Sequence, residues 1–461
     1  MPGPLADVKV IDLTAVLLGP FATQHLADMG ADVVKVEPPE GDLLRLSGGS
    51  MGRDKSMGPI YMAANRNKRS LCLDLKKPAA VEVLKGLIKG AELFIHNSRP
   101  AAIERLGLGY EDLKKINPSI VYAYSLGYAR KGPYGHKPAF DDLVQGVSGA
   151  ASLQSRVDGE APKFMPSLIA DKTTGLHLCI AVLGALYHRK ATGEGQMIEV
   201  PMLETLASFW LTEHLFGGLW KPERGTMGYD RIINKYRHPF KTLDGYICAL
   251  PYTDAHWVEF FNIVERPDLA KDPRFCDRTV RPKHFSELYQ VLDTLLKDRT
   301  TQEWLDAFDE ADIPAMPVHT LEDLLEDPHL KATGFFTERQ HPTEGPIVTF
   351  ASPLDFEKTK TEFRRHAPFG IAFRRRGKME LARDASRTRR HGHDARGEEG
   401  ALIDAVGDED DGLARDARAH GVSIRLGGGF LQRPLDLRDL QVPHEAEHLQ
   451  DVQRHPGPVE F

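Results

Sequence analysis

An alternation of short β-branched runs with amphipathic segments constrains this chain more than any other feature. Residues 8–13 form such a run, the Gly19-Pro20 pair breaks it, residues 21–29 follow a helical apolar spacing, and residues 31–36 return at once to a strand pattern. Strand signals recur at 70–75, 93–96 and 120–125, with helical patterns at 78–91 and 100–116 between them. Strand and helix in turn, joined by short connections, is the signature of βαβ units. The expectation is therefore an α/β fold with a mainly parallel sheet, whose ligands sit beyond the carboxyl ends of the strands. No G-x-G-x-x-G surrounds Gly19-Pro20, which speaks against a bound dinucleotide.

The next long element is a helix predicted over residues 172–189. Leu176, Cys179, Ile180, Leu183, Leu186 and Tyr187 recur at spacings of three and four and are expected to form its buried face. Asp171 stands at its start. An aspartate there has two compatible readings: it caps free backbone N–H groups, or it is a carboxylate held anionic by the helix N-terminus and placed to act as a nucleophile. Beyond a turn at 190–196, a strand at 197–200 and a helical stretch at 204–216 lead to a Gly- and Pro-bearing linker. The expected organisation is a large α/β domain over 1–216, a linker over 217–235, a small mixed domain over 236–325, and a return to the large domain over 326–370.

Composition narrows the class of partner. With 461 residues, 41% of them hydrophobic, the chain is long enough for two domains. A net charge of -7 gives no global argument for nucleic acid or a membrane surface. Its four cysteines, Cys72, Cys179, Cys248 and Cys276, are widely spaced and form no C-x-x-C pair, so neither a disulfide framework nor a zinc site is expected and a reducing cytoplasm fits. No export signal and no run of about 20 apolar residues is read from the sequence. The stretch 371–461 differs in kind, with Lys378 its one lysine among many arginines. That bias predicts a poorly ordered, non-functional tail, in which His391, His393, His420, His444 and His448 are incidental and not a metal tract.

Several blocks in order carry a resemblance over about residues 4–368. They are PLADVKVIDL at 4–13 with Gly19-Pro20, GADVVKVE at 30–37 followed by Gly41, Asp42 and Arg45, and NKRSLCLDLK at 67–76. Asn97, Arg105, Gly107, Asn117, Pro118, Gly127 and Tyr128 follow, then ADKTTG at 170–175 and GEGQ at 193–196. With these blocks the sequence resembles the class III CoA-transferases, a family that also includes α-methylacyl-CoA racemase. The resemblance implies a large Rossmann-like parallel-sheet domain with a smaller mixed α/β domain, and an interlocked homodimer. It also implies acyl-CoA and a free carboxylic acid as substrates, with coenzyme A entering as acyl-CoA and no tightly bound cofactor.

By the same resemblance Asp171 is the acyl-accepting nucleophile. A carboxylate conserves thioester energy as a mixed anhydride, where attack by water would lose it. The positions that match family CoA contacts are Leu73, Lys76, Asn97, Ser98, Arg99 and Arg105, with the segment from Pro138 and Ala139 to Asp141. Without the family blocks, Lys68, Arg69 and Lys76 would read as a solvated basic face. Leu17 stands where formyl-CoA transferase has a glutamine and Pro38 where it has a CoA-contacting arginine, and no run of glycines follows the linker, so formyl-CoA and oxalate are not the expected substrates. Phe140 stands where the racemases carry their histidine and cannot take an α-proton. Asp141 reads either as support for the site or as an N-cap before Leu143. Arg231, Tyr236, Arg237 and His238 form a basic-aromatic cluster suited to the distal carboxylate of a dicarboxylic acid. The implied function is CoA transfer from an acyl-CoA, with succinyl-CoA the expected donor, to a dicarboxylate. The alternatives are 2-methylacyl-CoA racemisation and CoA binding without turnover.

Overall fold

A computed structural model describes residues 3–48 and 52–369, together with the backbone of three short strands, Leu402–Val406, Ser423–Leu426 and Gly429–Phe430. The chain divides into two compact units, one of Met1–Val144, Leu168–Leu206 and Phe335–Phe461, the other of Gln145–Ser167 and Ala207–Gly334.

The first unit is built on six parallel strands, β1 (Lys9–Leu13), β2 (Asp32–Glu37), β3 (Arg69–Leu73), β4 (Leu93–His96), β5 (Val121–Leu126) and β6 (Met197–Pro201). Their spatial order is β3-β2-β1-β4-β5-β6. Ile11 of β1 pairs with Val34 on one side and with Phe94 on the other. Strand order reverses between β1 and β4, so the connections leaving these two strands diverge and open a crevice at their carboxyl ends. Ile11, Val34, Leu71, Phe94 and Tyr122 are buried in one apolar cluster with the helix Pro78–Lys89. Burial on both faces is why these strands read as nearly continuous apolar runs. Beyond β3 the sheet continues through Leu402–Val406, antiparallel to β3. The remainder of the stretch 371–461, with the expectations of disorder and of incidental histidines, lies outside the described residues.

Three helices differ from expectation for identifiable reasons. Helix α1 (Leu18–Asp28) starts before residue 21, because Pro20 fits a first turn that needs no N–H from it. The pattern over 100–116 becomes two helices, Pro100–Arg105 and Tyr110–Ile116, since Gly107 at φ +65° breaks the run between them. The third is Ile169–Thr192, closed by Gly193 at φ +80°. Its buried side carries Thr173, Thr174, Gly175, Leu178, Val182 and Ala185, whereas Leu176, Ile180 and Tyr187 are 45%, 64% and 78% exposed. Close packing on α1 selects small residues: a Cβ on Gly175 would lie 2.7 Å from the Leu18 carbonyl oxygen. Of the expected apolar face, Cys179 and Leu186 are buried and Leu183 is half-buried, while Leu176, Ile180 and Tyr187 point outward. With 24 residues and a mean hydropathy of 1.3, this helix is also long and apolar enough to span a membrane, which the sequence reading had not found, though half of that window is buried inside the protein.

The second unit has an antiparallel sheet of Phe240–Lys241, Tyr246–Ala249 and Ala315–Pro317. Helices Asp254–Ile263, Phe285–Leu295 and Thr301–Glu310 enclose a core rich in aromatic rings, among them Trp257, Phe260, Phe261, Trp304 and Phe308. Thr300 and Glu303 close a capping box at the start of the last of these helices. Phe336–His341 and Gly345–Phe350, which belong to the first unit, form a separate antiparallel hairpin.

Candidate active site

The crevice between β1 and β4 is shaped by a turn held by buried and half-buried polar groups from neighbouring elements. Leaving β1, the chain passes through Thr14, Ala15 and Val16 before α1 begins, and Val16 takes φ +66°, a left-handed conformation that costs a β-branched residue energy. Both oxygens of Asp42 accept the Val16 N–H at 3.2 Å. Lys35 Nζ donates to Asp42 Oδ2 at 2.8 Å and to the Thr14 carbonyl oxygen at 2.8 Å. The Lys35 and Asp42 side chains are 0% and 1% exposed. Burial opposes the charge on Lys35, but Asp42 and Asp12 beside it hold the ammonium above its usual range. From the β4 side, Asn97 Oδ1 accepts the Ala15 N–H at 2.9 Å and Asn97 Nδ2 donates to the Ala15 carbonyl at 2.7 Å. Asn97 thus ties together the two chain ends that diverge from the sheet.

These segments line a cleft of about 960 Å³ that brings Leu17, Asn97, Ser98, Arg99, Arg105, Pro138, Ala139, Phe140 and Asp171 together. Its floor is the carboxyl ends of β1, β4 and β5, and Met202 after β6 completes it. Gly127 permits the approach of the 138–140 segment, because a Cβ there would overlap Ala139 Cβ at 1.9 Å. Leu73 and Lys76 do not line this cleft. Leu73 is buried in the sheet core at β3, two strands away from β1, and Lys76 is exposed just beyond it. The solvated-face reading of Lys68 and Arg69 is also corrected. Lys68 is fully buried, 3.4 Å from Asp12, and Arg69 pairs with Asp32 at 2.6 Å.

Asp171 lies in the first turn of Ile169–Thr192, while the N-cap position is Leu168, which has no side chain to offer the helix. The capping is done from outside. Asp141 Oδ2 accepts the Asp171 N–H at 2.9 Å, and Asp141 itself begins the helix Asp141–Val147, so the expected N-cap role of Asp171 falls instead to Asp141, across the cleft wall. Burial, and then the Asp141 charge, push the Asp171 carboxyl up from its ordinary value to about 7. Burial and the Asp141 charge thus act against the anionic form that the helix terminus favours. A carboxylate of this basicity is a stronger nucleophile, and one that changes charge near neutral pH.

Arg99 and Arg105 line the cleft and form no ion pair among the described residues, so their donors are free for an anionic ligand. Sequence reasoning did not assign Arg130, His136 and Lys137 to the site; all three line the cleft, His136 and Lys137 as exposed residues. Arg130 pairs with Glu104 at 2.8 Å, and Lys137 Nζ lies 4.4 Å above the Tyr134 ring. Their position directly before the 138–141 segment was the available signal for His136 and Lys137. Of the four residues expected to hold the free acid, Arg231 lines a separate cavity in the second unit. Tyr236 packs on that unit's core, Arg237 is exposed, and His238 Nδ1 lies 2.9 Å from the Pro239 carbonyl oxygen. The structure does not gather these four into one site.

The chain is similar to the succinyl-CoA:glutarate CoA-transferase of Mus musculus, 31% identical over 77% of this chain and 81% of that protein. It is likewise similar to the succinate–glutarate CoA-transferase of Agrobacterium fabrum, at 31% over 79% of this chain and 92% of that one. Among solved structures, a CAIB/BAIF family protein from Brucella suis superposes with a TM-score of 0.68 at 28% identity, covering 80% of this chain and 97% of that one. Residues 5–370 match the profile of CoA-transferase family III. On the strength of that match and of these relatives, the chain belongs to CoA-transferase family III and is a CoA-transferase.

Proposed function

We propose that this enzyme moves CoA from succinyl-CoA to a dicarboxylic acid, with Asp171 as the group that carries the acyl and thioester bonds. The observation that supports this reading best is the placement of Asp171 beside unpaired Arg99 and Arg105 in the cleft at the strand ends. The names of the relatives supply the substrate class.

In the proposed sequence an Asp171 oxygen attacks the thioester carbon of the donor and expels CoA thiolate, leaving an aspartyl-acyl anhydride. The thiolate then attacks Asp171 Cγ and expels the donor acid as a carboxylate, leaving an aspartyl-CoA thioester. The acceptor carboxylate attacks that thioester and frees the thiolate. Thiolate attack on the acceptor acyl carbon finally returns Asp171 as a carboxylate. No proton need be gained or lost overall, and exclusion of water protects both intermediates. Leu17, 6% exposed just before α1, supplies an apolar wall for that purpose, and Phe140, which also lines the cleft, is 68% exposed. Asn97, Ser98, Arg99, Arg105, Pro138 and Ala139 are the proposed CoA contacts, joined by Arg130, His136 and Lys137. Lys76, exposed beyond β3, remains a candidate outside the cleft, whereas Leu73 is buried in the sheet core.

Arg231 is the proposed partner of the free acid. The outward apolar stripe of Leu176, Ile180 and Tyr187 supports a homodimer, because a surface row of large apolar groups is stabilised by a second copy. Free thiols at all four cysteines fit the proposed cytoplasmic location. The test is CoA exchange between succinyl-CoA and a panel of free acids, read by mass spectrometry as new thioesters. Asp171→Ala is expected to abolish every exchange, and hydroxylamine to inactivate the wild type only after exposure to acyl-CoA. Exchange persisting in Asp171→Ala removes the nucleophile assignment.

A further inference from the structure

The second unit contains a cavity of about 830 Å³, separate from the cleft that Asp171 lines. Its chemistry is that of a ligand site. Arg231 is half-buried in its wall, with its guanidinium carbon 5.5 Å from the Phe285 ring centroid and 5.8 Å from that of Tyr252. Arg231 Nε donates to Tyr289 Oη at 3.3 Å, which fixes the plane of the fork. No carboxylate pairs with Arg231 among the described residues. Arg281, in the same wall, differs: it is bound to Asp254 at 2.6 Å and to the Phe275 carbonyl at 2.8 Å, so its charge is already matched. Arg278 and Lys283 also line the cavity, are exposed, and form no ion pair among the described residues. The cavity therefore presents one oriented guanidinium inside and two exposed cations beside it against one further carboxylate, the exposed Asp230, a positive balance that favours an anion.

The walls indicate what body that anion carries. Phe285 and Tyr289 stack with centroids 5.8 Å apart and planes 15° apart, and Phe216 and Tyr229 stack at 5.5 Å and 19°. Two stacked pairs in one cavity offer flat faces and ring edges to a third ring. Phe216, Tyr229, Tyr252, Trp257, Phe285 and Tyr289 all line the cavity, and aromatic side chains with a few convergent polar groups are typical of small-molecule sites of this size.

We propose that this cavity binds a carboxylate whose body is a flat ring, the carboxylate on Arg231 and the ring against Tyr252, Phe285 and the stacked pairs. The proposal rests on the proposed function in one respect, that the second unit receives the free acid, and narrows that acid to one with a ring body, for which benzoate is the single-carboxylate probe. Calorimetric titration of the full-length chain separates the terms. Benzoate is expected to bind at least about tenfold more tightly than benzamide, which lacks the charge. It should also bind at least about threefold more tightly than cyclohexanecarboxylate, which has the charge and the size without the π face. Arg231→Gln should weaken benzoate by about tenfold or more, while Asp171→Ala leaves its affinity within about twofold. Should Arg231→Gln fail to fold by circular dichroism, Tyr252→Leu, at a 67% exposed position, carries the test. It should lower benzoate to the affinity of cyclohexanecarboxylate. Equal affinities for benzoate and benzamide, equal affinities for benzoate and cyclohexanecarboxylate, an unchanged Arg231→Gln, or loss of binding in Asp171→Ala each overturn the proposal. Binding as stated together with CoA exchange surviving in Asp171→Ala would remove the nucleophile and leave this site standing.

Discussion

The Asp171 N–H points at Asp141 Oδ2, 2.9 Å away, so the carboxylate that caps the Asp171 helix is the same charge that makes the Asp171 carboxyl hard to ionise. One residue thereby fixes the position of Asp171 and raises its basicity. The two roles separate in Asp141→Asn. The amide oxygen still accepts the N–H, but the negative charge is gone, and Asp171 loses the second of the two causes that raise its pKa. A carboxylate freed of a like charge ionises at lower pH. The acid limb of the kcat/KM profile for CoA exchange is therefore expected to move to lower pH in Asp141→Asn, with the plateau reduced because the nucleophile is less basic. A limb that stays in place or moves upward shows that Asp141 acts on Asp171 only as a cap.

The same shift has a consequence for stability, with a defined sign. Asp171 titrates near 3.8 when unfolded and at about 7 in the folded protein. Between those values the folded state holds a proton that the unfolded state has released, so this group's contribution to stability falls as pH rises through that window. Asp171→Asn cannot ionise. It should match the wild type in thermal stability near pH 4 and exceed it at pH 8, by on the order of 2 kcal/mol after allowance for partial solvent access. Wild type and variant losing stability in parallel from pH 4 to pH 8 would place the ionisation of Asp171 elsewhere.

How far the sequence carried this reading can be seen in particular residues. The inner strands were legible because burial on both faces makes runs such as residues 93–96 apolar throughout, while β6, with Met197 exposed, was legible from its short run ending at Pro201. The helix from Ile169 was legible too, but its orientation was not. Leu176, Ile180 and Tyr187 satisfy helical periodicity as well as any core row, yet the row that packs is the one with Gly175, since only a residue without a side chain fits under the Leu18 carbonyl. Periodicity detects apolar rows and does not weigh their size. The contact between Asp141 and Asp171 joins positions 30 apart in sequence, and the pairing of Lys35 with Asp42 is buried although both are charged, so no local rule marks either one. Arg130 was passed over for a related reason, since a cation in a loop next to Gly and Pro reads as surface until the fold closes a cleft around it.

Gly175 can be tested by the smallest change available. Ala in place of Gly inside a helix gains about 1 kcal/mol from propensity. Against this, the added Cβ meets the Leu18 carbonyl oxygen at 2.7 Å and Phe21 Cδ1 at 3.2 Å, and a backbone oxygen cannot move aside alone. Overpacking of that kind costs about 1–3 kcal/mol, so the steric term wins. Gly175→Ala is expected to destabilise the protein by about 1 kcal/mol in urea unfolding and to lower kcat, because Leu18 follows directly on the Val16–Leu17 turn of the cleft. A midpoint raised above wild type would mean that α1 and the Asp171 helix can separate at little cost.

The turn at Val16 offers a test that divides folding from positioning. Lys35 and Asp42 are a buried pair, so Lys35→Met alone strands the Asp42 carboxylate and is expected to cost about 3–5 kcal/mol, with Asp42→Leu alone similar in size. Replacing both removes the stranded charge, and stability should recover most of that loss, since an apolar pair of similar volume substitutes well for a buried ion pair. Activity should not recover with it. In the double variant nothing accepts the Val16 N–H that both Asp42 oxygens hold at 3.2 Å, and a non-glycine residue at φ +66° has lost the bond that offsets its strain. The turn is then free to relax away from the cleft that it shares with Asp171. The expected pattern is a urea midpoint close to wild type together with kcat for CoA exchange reduced about tenfold or more, a loss on the scale of misplacing one wall of a reacting site. If kcat returns with stability, Lys35 and Asp42 serve the core alone and the geometry of the cleft is set by Asn97.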